Sequence, residues 1–126
     1  MKHIIIGLLF ITVLSGCSAA PTRADHDEFK SLSQGIIPPK STLNFATCLY
    51  DGFLKSHSML TNIETKQQIR PDGYRIETYS GGYILIMSAD ILKNGHVELW
   101  ESSAAALINT TGEREAFSSC LDAFKI

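Results

Sequence analysis

The chain has 126 residues, with 11 Lys or Arg against 13 Asp or Glu and a formal net charge of −2. That length supports one small domain and is short for two. No basic stripe, internal repeat or low-complexity block is present, which argues against a nucleic-acid partner.

Lys2 sets a positive charge beside the amino terminus, and Ile4 to Val13 form an apolar stretch of about ten residues, the length of a signal-peptide core. A bilayer-spanning helix needs about twenty. The chain turns polar straight after Cys17, and the small residues Ser15 and Gly16 leave a peptidase room to reach the backbone. Leu14-Ser15-Gly16-Cys17 resembles the lipobox of bacterial lipoproteins, and the resemblance covers the first seventeen residues. It implies that residues 1–16 are a lipoprotein signal peptide and that the Cys17 thiol receives a diacylglyceryl group. Cleavage before Cys17 then frees an amino terminus for acylation, with palmitate as a typical chain. Several acyl chains on one residue anchor firmly, whereas one chain binds only marginally. In enterobacterial lipoproteins an aspartate after the cysteine holds the protein at the inner membrane. Ser18 in that place implies the outer membrane, with the domain facing the periplasm.

With Cys17 assigned to lipid, Cys48 and Cys120 remain. Two spare cysteines in an exported chain point to one disulfide. Closing so long a loop is worth about 4 kcal/mol on chain-entropy grounds. Two buried free thiols or a metal pair are the alternatives, but neither cysteine has a second Cys or His at ligand spacing.

Residues 17–40 read as a flexible tether, rich in polar residues and closed by Pro38-Pro39, which favours extended backbone. A short helical turn fits within Asp27 to Ser33. Residues 41–126 read as a single α+β domain. Ser41 or Thr42 can cap a helix in which Phe45, Cys48, Leu49 and Phe53 share a face. Gly52 on that helix costs up to about 1 kcal/mol against Ala and so implies close packing. Pro71-Asp72-Gly73 marks a turn between Glu64–Ile69 and the alternating run around Tyr74, Ile76 and Thr78. Gly81-Gly82 suits a tight hairpin, Tyr83 to Met87 reads as a central strand, and Asn94-Gly95 suits a type I′ turn. Val97 and Leu99 alternate with Glu98 and Trp100 beyond it. The expectation is a helix, then an antiparallel meander of three or four strands, then a C-terminal helix. Thr110 and Glu113 have capping-box spacing, and Ala116, Phe117, Cys120, Leu121 and Phe124 mark the apolar face of that last helix. Both helices should lie on one sheet face, with the Cys48–Cys120 bridge between them.

Glu77, Tyr79, Glu98, Trp100 and Glu101 can share the outer face of the sheet, where aromatic rings among acids suit a protein-binding surface. Trp100 in the core, with Val97 and Leu99 outward, is the competing arrangement. His26, His57 and His96 share no metal-binding motif and read as exposed loop histidines, so no metal or other cofactor is expected. Ser88-Ala89-Asp90 lacks a nucleophile elbow and a neighbouring base, so the chain reads as a non-enzyme. The part after Cys17 resembles small two-cysteine envelope lipoproteins, a group that implies architecture but no activity. The expected role is a lipid-anchored, non-catalytic accessory that binds an envelope protein. The alternative is an immunity or inhibitor protein acting on a toxin or lytic enzyme.

Overall fold

The computed structural model describes residues 22–57 and 62–126. The signal-peptide and lipobox expectations lie outside the described residues. In chain order the elements are β1 (Phe29–Ile36), α1 (Thr42–Ser56), β2 (Ile63–Arg70), β3 (Gly73–Ser80), β4 (Ile84–Leu92), β5 (His96–Ser102) and α2 (Thr111–Phe124). Short 3-10 turns occupy His26–Glu28, Pro39–Ser41 and Ser103–Leu107. The strands form one antiparallel sheet in the order β1-β5-β4-β3-β2. Strands β2 to β5 are thus a four-stranded meander, as expected, and β4 is central.

Strand β1 corrects the reading of residues 17–40 as a tether. Phe29–Ile36 pairs with β5 from Phe29↔Ser102 to Ile36↔His96, with a register shift between Ser31 and Ser33. The pairing gives β5 a second neighbour and makes β1 an edge of the sheet. A Cβ added to Gly35 would fall 2.6 Å from Leu121 Cδ1, so β1 also runs close beneath α2.

The two helices cover one face. Phe45, Ala46, Leu49 and Phe53 of α1 and Phe117 and Cys120 of α2 join Ile76, Ile86, Met87, Ala89, Ile91, Val97 and Leu99 of the sheet in one core. Phe45 meets Phe117 edge to face at 5.8 Å between ring centroids, a geometry favoured by the ring quadrupole. Cys48 and Cys120 are bonded, with α-carbons 6.1 Å apart and a sequence separation of 72. The expected fold class and helix–helix disulfide are therefore present.

The hairpin ends follow from glycine. Gly81 and Gly82 have φ of 62° and 81°, the doubly left-handed geometry of a type I′ turn. The Asn94-Gly95 turn differs from the expected I′ form. Asn94 has negative φ, Gly95 has φ 92°, and Gly95 N–H donates to the Leu92 carbonyl at 2.9 Å. That is a type I turn over Lys93-Asn94 closed by a left-handed glycine. The reason is tertiary: the Gly95 carbonyl accepts from Ile37 N–H at 2.9 Å. A Cβ there would lie 2.0 Å from the Ile37 carbonyl oxygen.

Gly52 sits where the helices touch. Helix propensity alone favours Ala there by about 1 kcal/mol. A Cβ at this position would fall 2.6 Å from Ala116 Cβ. Gly52→Ala should therefore destabilise the domain by about 1–3 kcal/mol, the usual cost of overpacking. Denaturant titration of the oxidised chain checks this, and Ala116→Gly added to Gly52→Ala should recover part of the loss.

Candidate functional site

The sheet face opposite the helices is polar. Pairing sets Arg75 beside Asp90, Glu77 beside Ser88, Asp90 beside Glu98, and Trp100 between Ser88 and Ser31. Paired residues in neighbouring strands point the same way, so these side chains share the outer face. Trp100 is thereby assigned outward, while Val97 and Leu99 are inward and buried.

Two linked groups of side chains occupy this face. In the first, Glu77 is only 2% exposed, and its Oε1 accepts from Gln68 Nε2 at 2.9 Å and from the Tyr79 hydroxyl at 3.0 Å. Lys66 Nζ stands 4.5 Å from the Tyr79 ring centroid. Burial first, and then the Glu77 carboxylate beside it, push the Tyr79 phenol up to about 12. Tyr79 is thus a neutral donor throughout the physiological range.

The second group centres on Asp90. Its Oδ1 accepts from Arg75 Nε at 2.7 Å and its Oδ2 from Arg23 Nη2 at 2.6 Å. Arg23 Nη1 donates to Ser88 Oγ at 2.6 Å. The Arg23 guanidinium lies 5.0 Å from the Trp100 ring centroid and 5.5 Å from that of Phe29, within cation–π range of both. Beside this group, Glu98 accepts from Ser31 Oγ at 2.6 Å, and His96 Nε2 lies 3.4 Å from its other oxygen.

Glu77, Tyr79, Glu98 and Trp100 therefore share the outer face, as expected from the sequence. Glu101 does not. It pairs with Met87 on the helix side and accepts a hydrogen bond from Arg114 of α2, so it tethers α2 to the sheet. Arg23 and Phe29 were not legible as site residues, because they reach the face from the amino-terminal strap and the edge strand. Ser88 and Asp90 did leave a signal: they are polar residues at alternate positions in an otherwise apolar central strand.

Comparison with protein-family models, with curated proteins and with solved structures found no match. The roles of these groups are argued from their own geometry.

A second titratable cluster lies inside the fold and corrects two expectations. His57, expected in an exposed loop, is 7% exposed and hydrogen-bonded to Glu113. Glu113, expected to cap α2, is 0% exposed, and Thr110 makes no side-chain cap bond. The cause is the close meeting of helix ends: a Cβ on Gly112 would fall 2.6 Å from Ser56 Oγ. With α2 pressed against α1, Glu113 turns inward to His57. Both side chains are sealed from solvent, so the pair links the end of α1 to the start of α2.

Burial raises the Glu113 carboxyl above the ordinary carboxylate value, and His57 partly offsets the effect. The folded state therefore holds that proton more tightly than the unfolded chain. The resulting stability is complete below the ordinary value of 4.5 and is lost as pH rises through the elevated one. Glu113→Gln should remove this contribution while keeping a polar partner for His57. Thermal melts across pH should show wild-type stability falling relative to the variant as pH rises.

Proposed function

We propose that this protein is a lipid-anchored lipoprotein of the outer membrane, with a non-catalytic domain that binds an envelope protein through the outer face of its sheet. The observation that carries the binding surface is the arrangement of Tyr79 and Trp100 among charged groups whose positions are held by hydrogen bonds. Aromatic anchors presented with little freedom left to lose are what protein interfaces favour. The anchor is supported by the apolar stretch ending in Leu14-Ser15-Gly16-Cys17. The Cys48–Cys120 disulfide is in keeping with an oxidising compartment.

An immunity or inhibitor role is the second reading. It is favoured by one feature: Trp100, Phe29, Ser88 and Asp90 together hold a guanidinium. A basic target would present such groups, and charge complementarity speeds encounter.

Lipidation is tested by mass spectrometry of the membrane fraction, where an acylated peptide beginning at Cys17 is expected. Cys17→Ala should release or mislocalise the protein, and full membrane retention of that variant would remove the anchor. The surface is tested by cross-linking in cells with and without competitors, followed by mass spectrometry. Glu98→Lys and Trp100→Ala should each reduce partner capture by about tenfold or more, the scale of an interface hot spot. Unchanged capture by both folded variants would move the binding site elsewhere. A permanent partner supports the accessory role, whereas one captured only under competition supports the inhibitor.

A further inference from the structure

Arginine in a protein usually meets one carboxylate at the surface. Arg23 meets much more. One guanidinium nitrogen donates to Ser88 and another to Asp90, while Phe29 and Trp100 both stand within 5.5 Å of its central carbon. Such a site suits the planar, forked guanidinium and not the compact ammonium of lysine.

The parts of this cleft do not depend on Arg23 for their positions. Ser88 is fully buried in the central strand. Asp90 is fixed through its other oxygen by Arg75. Trp100 lies within β5, and Phe29 is paired with Ser102. The strap of residues 22–28 that carries Arg23, by contrast, has few other contacts with the sheet. Of residues 22–28, Arg23 alone is partly buried and the others are exposed. Apart from Arg23, the side chain joining this strap to the sheet region is Glu28, which accepts from Ser103. The local bonds of Thr22 with Asp25 stay within the strap and travel with it.

We propose that the cleft of Phe29, Ser88, Asp90 and Trp100 is an arginine-binding site, filled in cis by Arg23 and open to an arginine side chain of a partner polypeptide when the strap lifts. The proposal rests on the reading of the outer face as the protein-binding surface, and it names the chemistry of the partner. Arg23 acts as an internal competitor. A tethered group is present at an effective concentration in the millimolar range, so a partner must bring further contacts, and Glu98 and Tyr79 lie on the same face to receive them. A stray basic peptide cannot displace the strap, whereas a partner that engages the wider face can.

Trp100 is the single tryptophan of the chain, so its emission reports on the cleft directly. The detergent-solubilised full-length protein is titrated with N-acetyl-arginine amide and, separately, with N-acetyl-lysine amide. Arg23→Ala should respond to the arginine probe at concentrations at least about tenfold below those needed for wild type, since the cis competitor is gone. The lysine probe should be weaker on Arg23→Ala by about tenfold or more. Adding Asp90→Asn to Arg23→Ala should weaken the arginine response to a similar degree. Arg23→Lys, which keeps the charge but loses the fork, should also bind the arginine probe more readily than wild type and serves if Arg23→Ala does not fold. A folded variant whose Trp100 emission ignores the arginine probe up to about 100 mM, where a millimolar site saturates, would overturn the proposal. Equal responses to the two probes would overturn it as well. Partner capture that needs Glu98 and Trp100 beside an arginine-blind cleft would sink this proposal and leave the binding surface standing. An arginine-responsive cleft with partner capture untouched by both variants would sink the surface instead.

Discussion

The close crossing of α1 and α2 governs the rest of the structure. One helix precedes the meander and the other follows it, so their contact closes a loop that contains β2 to β5. Gly52 against Ala116 brings the backbones together, and the Cys48–Cys120 bond locks them four residues away on each helix. With both helices committed to each other, both must lie on the same side of the sheet. The other side receives no helix. A five-stranded sheet bare on one face must therefore carry polar side chains there, and buried members of that set need partners. The hydrogen bonds among Gln68, Glu77 and Tyr79, and among Arg75, Asp90, Arg23 and Ser88, meet that need for these groups, while Trp100 Nε1 stays buried without a partner among the described residues. The candidate surface is a consequence of where the helices went.

The same crossing explains the buried pair of His57 and Glu113. Gly112 lies against Ser56, which brings Glu113 to the end of α1. Its side chain turns inward and meets the residue that ends α1. An orphaned carboxylate would be costly there, and the histidine supplies one partner. Glu113 Oε2 is nevertheless buried without a hydrogen-bond partner among the described residues. This end of the helix pair is thus less well satisfied than the disulfide end.

What could be read from the sequence follows the range over which each interaction acts. Both helices, the meander and the disulfide were legible, because apolar period, turn glycines and cysteine count are local or compositional signals. Gly52 was legible as a contact point because glycine within a helix needs a packing reason. Strand β1 was not legible. Its sequence, FKSLSQGI, carries few apolar residues, and the register shift between Ser31 and Ser33 breaks the alternation that would mark a strand. The inward turns of His57 and Glu113 arise from helices packed 56 residues apart, where the short-range capping pattern suggested something else. Arg23 reaches partners 65 and 67 residues away. No local pattern records such a contact, and only the unusual Ser88 and Asp90 in an apolar strand hinted that something polar must face them.

Placing residues 29–36 in the sheet also changes how an anchor at Cys17 would act. A tether running to residue 40 would let the domain range freely, but Arg23 docks on the sheet six positions after Cys17. Six residues span at most about 20 Å. With a lipid on Cys17 and Arg23 in its cleft, the outer face near Trp100 would thus be held within that distance of the anchor. Once Arg23 leaves, the first attachment through the sheet is Phe29, twelve positions after Cys17, and the permitted span rises to about 40 Å. An arginine arriving from a partner would therefore fill the cleft and lengthen the leash in one event. By reciprocity, a partner reachable only at the longer distance would favour release of Arg23 from the cleft. With a lipid on Cys17, binding and reach would then be coupled through one side chain, and geometry fixes the sign: occupancy of the cleft in trans would raise the upper limit on the distance between the domain and its anchor.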